Sequence, residues 1–546
     1  MEKSKAIHLE EANTLANFLT PEERQNIVSL KITGLIGRKD FDDVLDDMCE
    51  VYGLYDKDDN YTPDYELAAA IRHLDLGDAT YVDGEELPFF GYHAQLETLI
   101  LPQGITTTID RGERDTGISE SEKLKTLVLP KGLKTAGGFH SCVNLTGLLL
   151  PEGLEVIEPF AFSGCESITA IRIPASLKSI SGSSFAGCNI TAYEIDEKNP
   201  YYTVIDGVLY SKDLKTLVAF PSAYNGKSFV IPETTKIIGH SAFKDAKAEK
   251  VVLPQGLTTI EGWAFEGSSV RSIEMPDSVT ELGELAFRFC FQLEHIRLSN
   301  SLSVIRSQTF SRCPQLKRLE IPESVKRIYY SAIAVCNELE YLKLNDGLEE
   351  IVDEGPMLGV YGDLRELNLP KTLKKVPGGV FNYSPYIKGF NLDPDNPYFS
   401  TIDGALCSKD GKTLYSVPDV NRCSYKVPEG IEVIGERALS FLPSLLTVEL
   451  PSTLRTIERG AFQGCDSLTS ISIPAGVKKV DIDSLWADNL KTVIMRCAIP
   501  PEMTGTVKDD EWIYRNVDLS VPRDSVALYM RTPGWKCFRV KEFKEQ

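Results

Sequence analysis

Three stretches decide how this chain is built. The first runs Leu145-Thr146-Gly147-Leu148-Leu149-Leu150-Pro151, then Gly153-Leu154-Glu155-Val156-Ile157, then Ala161-Phe162-Ser163-Gly164-Cys165. The second restates it 23 residues later as Ile168-Thr169-Ala170-Ile171-Arg172-Ile173-Pro174, Leu177-Lys178-Ser179-Ile180 and Ser184-Phe185-Ala186-Gly187-Cys188. The third lies far downstream, where Ala461-Phe462-Gln463-Gly464-Cys465 precedes Leu468-Thr469-Ser470-Ile471-Ser472-Ile473-Pro474. A fixed period in residue type means that one small unit is copied along the chain.

Working outward, Cys142, Cys165 and Cys188 share that spacing, as do Cys290, Cys313 and Cys336, and Cys465 has the same surroundings. The proline closing each apolar run returns at Pro102, Pro130, Pro151, Pro174, Pro232, Pro254, Pro276, Pro322, Pro370, Pro428, Pro451 and Pro474. Ser299 and Asn345 take its place in two units. About seventeen units fit between Ile71 and Met495. Alternation in L-x-x-L-x-L is the period of a half-buried strand, and proline, with no N–H for a ladder, stops it. The Ala-Phe-x-Gly-Cys segment reads as one helical or 3₁₀ turn with its Phe pointing inward. No unit buries its own Leu and Phe, so units stack about 4.8 Å apart into a shared core. Phe162, Phe185, Phe265, Phe287, Phe310 and Phe462 are the expected aromatic spine.

The unit resembles the BspA-like class of leucine-rich repeats, which occurs in surface and secreted proteins of bacteria, notably Bacteroidetes. The resemblance covers roughly residues 90 to 497. It implies a right-handed leucine-rich-repeat solenoid, an α/β repeat of mostly short parallel strands with short helical or 3₁₀ turns. It also implies a role in binding macromolecules rather than in catalysis. Solenoid ends need covering, so residues 1–90 are expected as an N-terminal α/β cap, 91–497 as the solenoid and 498–546 as a C-terminal cap containing Tyr529 and Trp535.

Composition sets outer bounds. The 546 residues carry 58 Lys+Arg against 79 Asp+Glu, a formal net charge of −21, which disfavours nucleic acid and anionic membrane as partners. No apolar run reaches the length of a membrane span. The start, Met1-Glu2-Lys3-Ser4-Lys5, leads into a polar run without the apolar core of a secretory signal. Localisation at the cell surface or in the secreted fraction therefore rests on the resemblance, with any signal peptide expected upstream of this chain.

Two segments interrupt the period alike. Asn199-Pro200-Tyr201 through Pro221 and Asn396-Pro397-Tyr398 through Pro418 agree at 14 of 23 positions and lie 197 residues apart. Their Asp-Gly and Ser-Lys-Asp turns between apolar runs point to duplicated hairpin inserts, about 196–221 and 393–418.

Candidate chemistry is sparse. Asp56, Asp58, Asn60 and Asp64 follow part of a calcium-loop pattern, but Tyr61 and Leu67 stand where its glycine and bidentate glutamate belong; a solvated acidic loop is the better reading. The six histidines are scattered singly, and no nucleophile, zinc or nucleotide motif is present. The cysteine ladder, with nothing basic in register, reads as packed thiols rather than redox or disulfide chemistry. Asn60, Asn144, Asn189 and Asn382 open Asn-x-Ser/Thr triplets, coincidental in a bacterial repeat protein such as the resemblance implies. No catalytic, cofactor or metal site is expected.

Binding residues are sought among the outward positions of each strand, the third and fifth of L-x-x-L-x-L. The fifth gives Glu274, Arg297, Glu320 and Lys343, alternating in sign so that neighbouring units attract. The third gives His295, Arg318, Tyr341 and Glu366 in the same region. This polar, aromatic-containing band suits protein or glycan contact. Nearer the N-terminus the fifth position is apolar, Ile100, Val128 and Leu149, a second contact surface unless other chain covers it. The expected function is a non-enzymatic, adhesin-like surface protein, monomeric, binding host matrix or bacterial surface proteins. The alternative is a surface carbohydrate-binding module for glycan capture.

Overall fold

A computed structural model describes residues 3–49, 53–55, 61–63, 70–88, 95–109, 118–329, 331–352, 364–382, 384, 386–419, 421–505 and 512–543. The candidate calcium loop, apart from the backbone of Tyr61–Pro63, lies outside them, as does Asn60. The chain forms two compact units, residues 1–270 and 271–546. Each is a stack of short parallel strands, the leucine-rich-repeat solenoid implied by the repeat.

In the first unit one parallel sheet runs Ser4–Leu9, Ser29–Ile36, His73–Tyr81, Thr98–Ile100, Thr126–Val128, Gly147–Leu149 in spatial order. Ala170–Ile173 pairs in parallel with Ala192–Ile195, and Ser228–Val230 with Lys250–Val252. Each strand alternates outward and inward side chains, so Leu99, Leu127, Leu148 and Ile171 are buried. A second, shorter column follows the proline corners: Thr135–Ala136 beside Val156–Ile157, then Thr216–Ala219, Ile237–Ile238 and Thr259–Ile260. Ahead of the repeats, the helix Pro21–Asn26 is opened by a Thr20/Glu23 capping box with Pro21 in its first turn.

The second unit repeats the plan. Its strand column holds Ser272–Glu274, His295–Arg297, Arg318–Ile321 and Tyr341–Leu344 in parallel. Glu366–Leu369 pairs with Gly389–Leu392, and Ser424–Lys426 with Thr447–Glu449. The closing sheet is Ser470–Ile473, Thr492–Met495, Asp518–Val521 and Arg539–Glu542. The C-terminal segment packs tightly here: Trp535 is fully buried, donates from Nε1 to the Pro501 carbonyl at 2.7 Å, and meets Tyr529 edge-on with ring centres 5.8 Å apart.

Inside both units the Phe residues stack as the repeat requires. Phe139–Phe162 and Phe162–Phe185 lie with centroids 5.3 Å apart and nearly parallel, Phe243–Phe265 4.8 Å, and Phe287–Phe310 5.8 Å. Ile333 takes the next Phe position and is fully buried. The cysteines do more than fill space. Ladder thiols donate to main-chain carbonyls of the preceding rung: Cys165 to Phe139 at 3.2 Å, Cys188 to Phe162 at 3.1 Å, Cys313 to Phe287 at 3.0 Å and Cys336 to Phe310 at 3.2 Å. All twelve cysteines are free. Where proline is missing, the substitute bonds backward too: Ser299 Oγ donates to Val279 O at 2.6 Å and Asn345 Nδ2 to Ile321 O at 2.9 Å. Asn144 and Asn189 donate likewise to Glu122 O and Glu166 O, and the buried Asn382 to Arg437 O and Ser440 O. These three triplet asparagines thus bond within the stack.

The two inserts are antiparallel within the parallel stack. Tyr202–Ile205 pairs with Val208–Ser211, which pairs with Thr216–Ala219; Phe399–Ile402, Ala405–Ser408 and Thr413–Ser416 do the same. Both are anchored by a buried asparagine making four bonds. Asn199 Nδ2 donates to the carbonyls of Pro174 and Leu177, while its Oδ1 accepts from the amides of Tyr201 and Tyr202. Asn396 treats Pro370, Leu373, Tyr398 and Phe399 identically.

Candidate functional site

The strand face of the second unit is built by register. Parallel pairing sets His295 beside Arg318, Arg318 beside Tyr341, and Glu320 beside Lys343, because each strand presents its first and third residues outward. His295 Nε2 lies 2.9 Å from Glu274 Oε1. Arg297 donates to the Met275 carbonyl at 2.6 Å and to Asp277 Oδ1 at 2.9 Å. Arg318 reaches Glu320 Oε1 on its own strand at 2.7 Å, and its guanidinium lies 3.8 Å from the Tyr341 ring centre. Glu366 accepts from Asn391 Nδ2 at 2.9 Å. Lys343 is exposed on the same column.

These contacts set the electrostatics. Asp277 titrates below the usual carboxylate range, chiefly because the Asn300 amide N–H donates to it, then the Asn300 side chain, with Arg297 adding to the effect. Arg318 is pushed above its ordinary value, first by Glu320. Asp277 is thereby held as a carboxylate and Arg318 as a cation.

Two shallow clefts open there. One of about 330 Å³ is lined by Glu274, His295, Arg297, Asn300, Arg318 and Glu320, and reaches Asn345. The other, of about 380 Å³, begins at Asn345 and includes Asp346, Asn368, Asn391 and Asp393. The structure thus brings His295, Arg297, Arg318 and Glu320 into one cleft, sets Tyr341 on Arg318, and leaves Lys343 and Glu366 outside the cleft linings. The strand pattern alone missed Asn300, Asn368 and Asn391. A signal was present: the two units lacking the terminating proline are those whose Asn300 and Asn345 border the clefts.

The apolar positions belong to the first unit. Parallel pairing sets Ile100, Val128 and Leu149 side by side. Leu149 is 86% exposed and Val128 43%, while Ile100 is half-buried. Val230 and Val252, also exposed, occupy the corresponding positions of later strands. No group of three or more His, Cys, Asp or Glu side chains able to hold a metal ion occurs among the described residues. No helix among them is long and apolar enough to cross a membrane.

The repeat matches a known family. The family described as "BspA type Leucine rich repeat region" matches in six copies over residues 135–212, 217–340, 296–402 and 419–500, more than half of the chain. No curated protein matches. Among solved structures, a leucine-rich repeat protein from Bacteroides ovatus ATCC 8483 is 20% identical, with 72% of this chain and 88% of that one covered and a TM-score of 0.40. A leucine rich cell surface protein from Faecalibacterium prausnitzii A2-165 is 21% identical over 56% of this chain and 96% of that one, with a TM-score of 0.43.

Proposed function

Because the chain belongs to the BspA-type leucine-rich-repeat family, we propose that it is a non-enzymatic, adhesin-like protein that holds a protein partner on the strand face of its second unit. The supporting observation is the Arg318–Tyr341 pair at 3.8 Å, set beside the cleft that His295, Arg297 and Glu320 line. Arg and Tyr are the side chains that most often dominate binding energy at protein interfaces. Here they are already ordered by neighbours, which lowers the entropy lost on association. Alternating fixed charges from Glu274 to Lys343 supply register and partner discrimination more than raw affinity. Cell-surface or envelope placement, a monomeric state and host matrix or bacterial surface proteins as partners complete the proposal.

The test is a binding screen of the purified chain against matrix and bacterial surface proteins, repeated with Arg318→Ala and Tyr341→Ala. Affinity is expected to fall by about tenfold or more in each variant, with the folded spectrum unchanged. A partner bound equally well by both variants overturns the assignment of the face.

A further inference from the structure

The two units carry a second match that lies away from the strand face. In the first, Lys134, Glu155 and Lys178 occupy successive rungs of the corner column. Glu155 N donates to Lys134 O at 2.8 Å and Lys178 N to Glu155 O at 2.7 Å. In the second unit Lys326, Glu349 and Lys374 do the same, with bonds of 2.9 and 2.7 Å. Side chains close the pattern: Lys178 Nζ to Glu155 is 2.5 Å and Lys374 Nζ to Glu349 is 2.8 Å.

Each ladder ends at an insert. The anchoring Asn199 bonds the Leu177 carbonyl, next to Lys178, and holds the amide of Tyr201; Asn396 bonds Leu373 O, next to Lys374, and holds the amide of Tyr398. Tyr201 and Tyr398 are both 46% exposed. Lys178 is held above its ordinary value by Glu155 first, with Tyr201 adding to it; Lys374 is held up by Glu349 first and likewise by Tyr398. The four-residue arrangement Lys, Glu, Lys, Tyr is thus present once in each unit.

Its persistence contrasts with the strand face over the same rungs. There Val128, Leu149, Arg172 and Glu194 of the first unit correspond to Glu320, Lys343, Asn368 and Asn391 of the second, with no identity left. Exposed ion pairs contribute little to stability, and a half-exposed tyrosine ring leaves apolar surface in water; the tyrosine sets these two ladders apart from Lys412, Glu432 and Arg455, which bond alike without one. Each ladder has two cations to one anion in a chain of net charge −21. A lysine ammonium has three donors, so one held by Glu155 or Glu349 keeps others for a ligand.

We propose that Tyr201 with Lys134, Glu155 and Lys178, and Tyr398 with Lys326, Glu349 and Lys374, are twin binding sites for anionic sugars. One ring of a pyranose lies on the tyrosine face, its carboxylate or sulfate meets the lysines, and the glutamate accepts from hydroxyls. A lone aromatic within a small charged patch matches one sugar residue. It falls far short of the roughly 800 Å² per partner that a stable protein interface buries. These sites are separate from the strand face proposed above for protein.

The experiment is calorimetry of the full chain with a chondroitin sulfate tetrasaccharide, a neutral chitotetraose and a polyglutamate peptide. The sulfated tetrasaccharide is expected to bind at two sites per chain, weakening as salt rises. Tyr201→Ala or Tyr398→Ala leaves one site, the double variant none, and Tyr201→Phe retains binding within a fewfold. Chitotetraose and polyglutamate are expected to bind about tenfold more weakly or worse. Circular dichroism checks that each variant is folded. The proposal is overturned by an absence of tetrasaccharide binding, by a double variant that binds like the parent, or by equal affinity for either control probe.

Discussion

Asn199 offers a quantitative test of how the inserts are held, and the chain contains its own replicate. Its side chain is 1% exposed and makes four bonds of 2.8 to 3.1 Å. Replacing it with alanine strands the partners unequally. Pro174 O still accepts from the Leu177 amide, so its loss is small. Leu177 O is left without the donor that served it, at a cost of about 1–3 kcal/mol for a buried acceptor. The amides of Tyr201 and Tyr202 sit where water enters more readily, and losing their acceptor costs about 0.5–1 kcal/mol each. The sum is about 3 kcal/mol for Asn199→Ala. Asn396 is 0% exposed with the same four partners, so Asn396→Ala should match it within about 1 kcal/mol. Asn→Asp at either position should cost more, because the new oxygen faces two carbonyls instead of donating to them. Urea unfolding, with hydrogen exchange read at residues 201–219 and 398–416, measures each loss in its own insert. A cost below about 1 kcal/mol, or a large gap between the two positions, refutes the view that this amide is the anchor.

Gly187 has φ +73°, and a Cβ there would lie 3.3 Å from the Gly164 amide nitrogen; Gly187→Ala should cost about 1–2 kcal/mol by thermal unfolding. Gly147, with open space around it, should accept alanine with a change below about 0.5 kcal/mol. A thiol reagent at pH 8 should modify only Cys423 and Cys537 in the folded chain, the other ten being buried, and all twelve after denaturation. Burial pushes the Cys188, Cys336 and Cys465 thiols up to about 12. Their contribution to stability is therefore complete below pH 9 and lost as pH rises toward 12, because only the unfolded chain releases those protons. Urea midpoints between pH 8 and 11 should fall, and fall less steeply in Cys336→Ala. Trp535→Phe should cost about 2 kcal/mol by removing the bond to Pro501 and part of a buried ring.

The repeat was readable because strand alternation and proline placement are local. Leu148, Ile171 and Ile473 fall inward whatever their neighbours do. Spine members without the usual company were harder to see. Phe139 follows Gly138 rather than alanine, and Phe243 precedes Ala246 where cysteine was the guide, yet both are fully buried and stacked. The site was less legible for a different reason. Which outward residues share a cleft depends on pairing between units about 23 residues apart. Asn391 comes to border the same cleft as Asn345 though nothing near it in sequence marks it. The asparagine anchors were hidden similarly: Asn199 sits in a motif whose turn chemistry is evident, but its buried bonds run to Pro174 and Leu177 on another rung.

The parallel stacking has a mechanical consequence. Within a unit, neighbouring rungs are joined by a few backbone hydrogen bonds, reinforced in some rungs by a phenylalanine contact or a thiol. Tension applied along the stacking direction loads these bonds one rung at a time, as in a zip, instead of shearing a whole sheet at once. A released repeat of 23 residues extends to about 75 Å from a stacked spacing of about 5 Å. Such a chain lengthens at low, nearly constant force and re-forms rung by rung when slack. A unit stretched this way pays out length one rung at a time before its last rung opens.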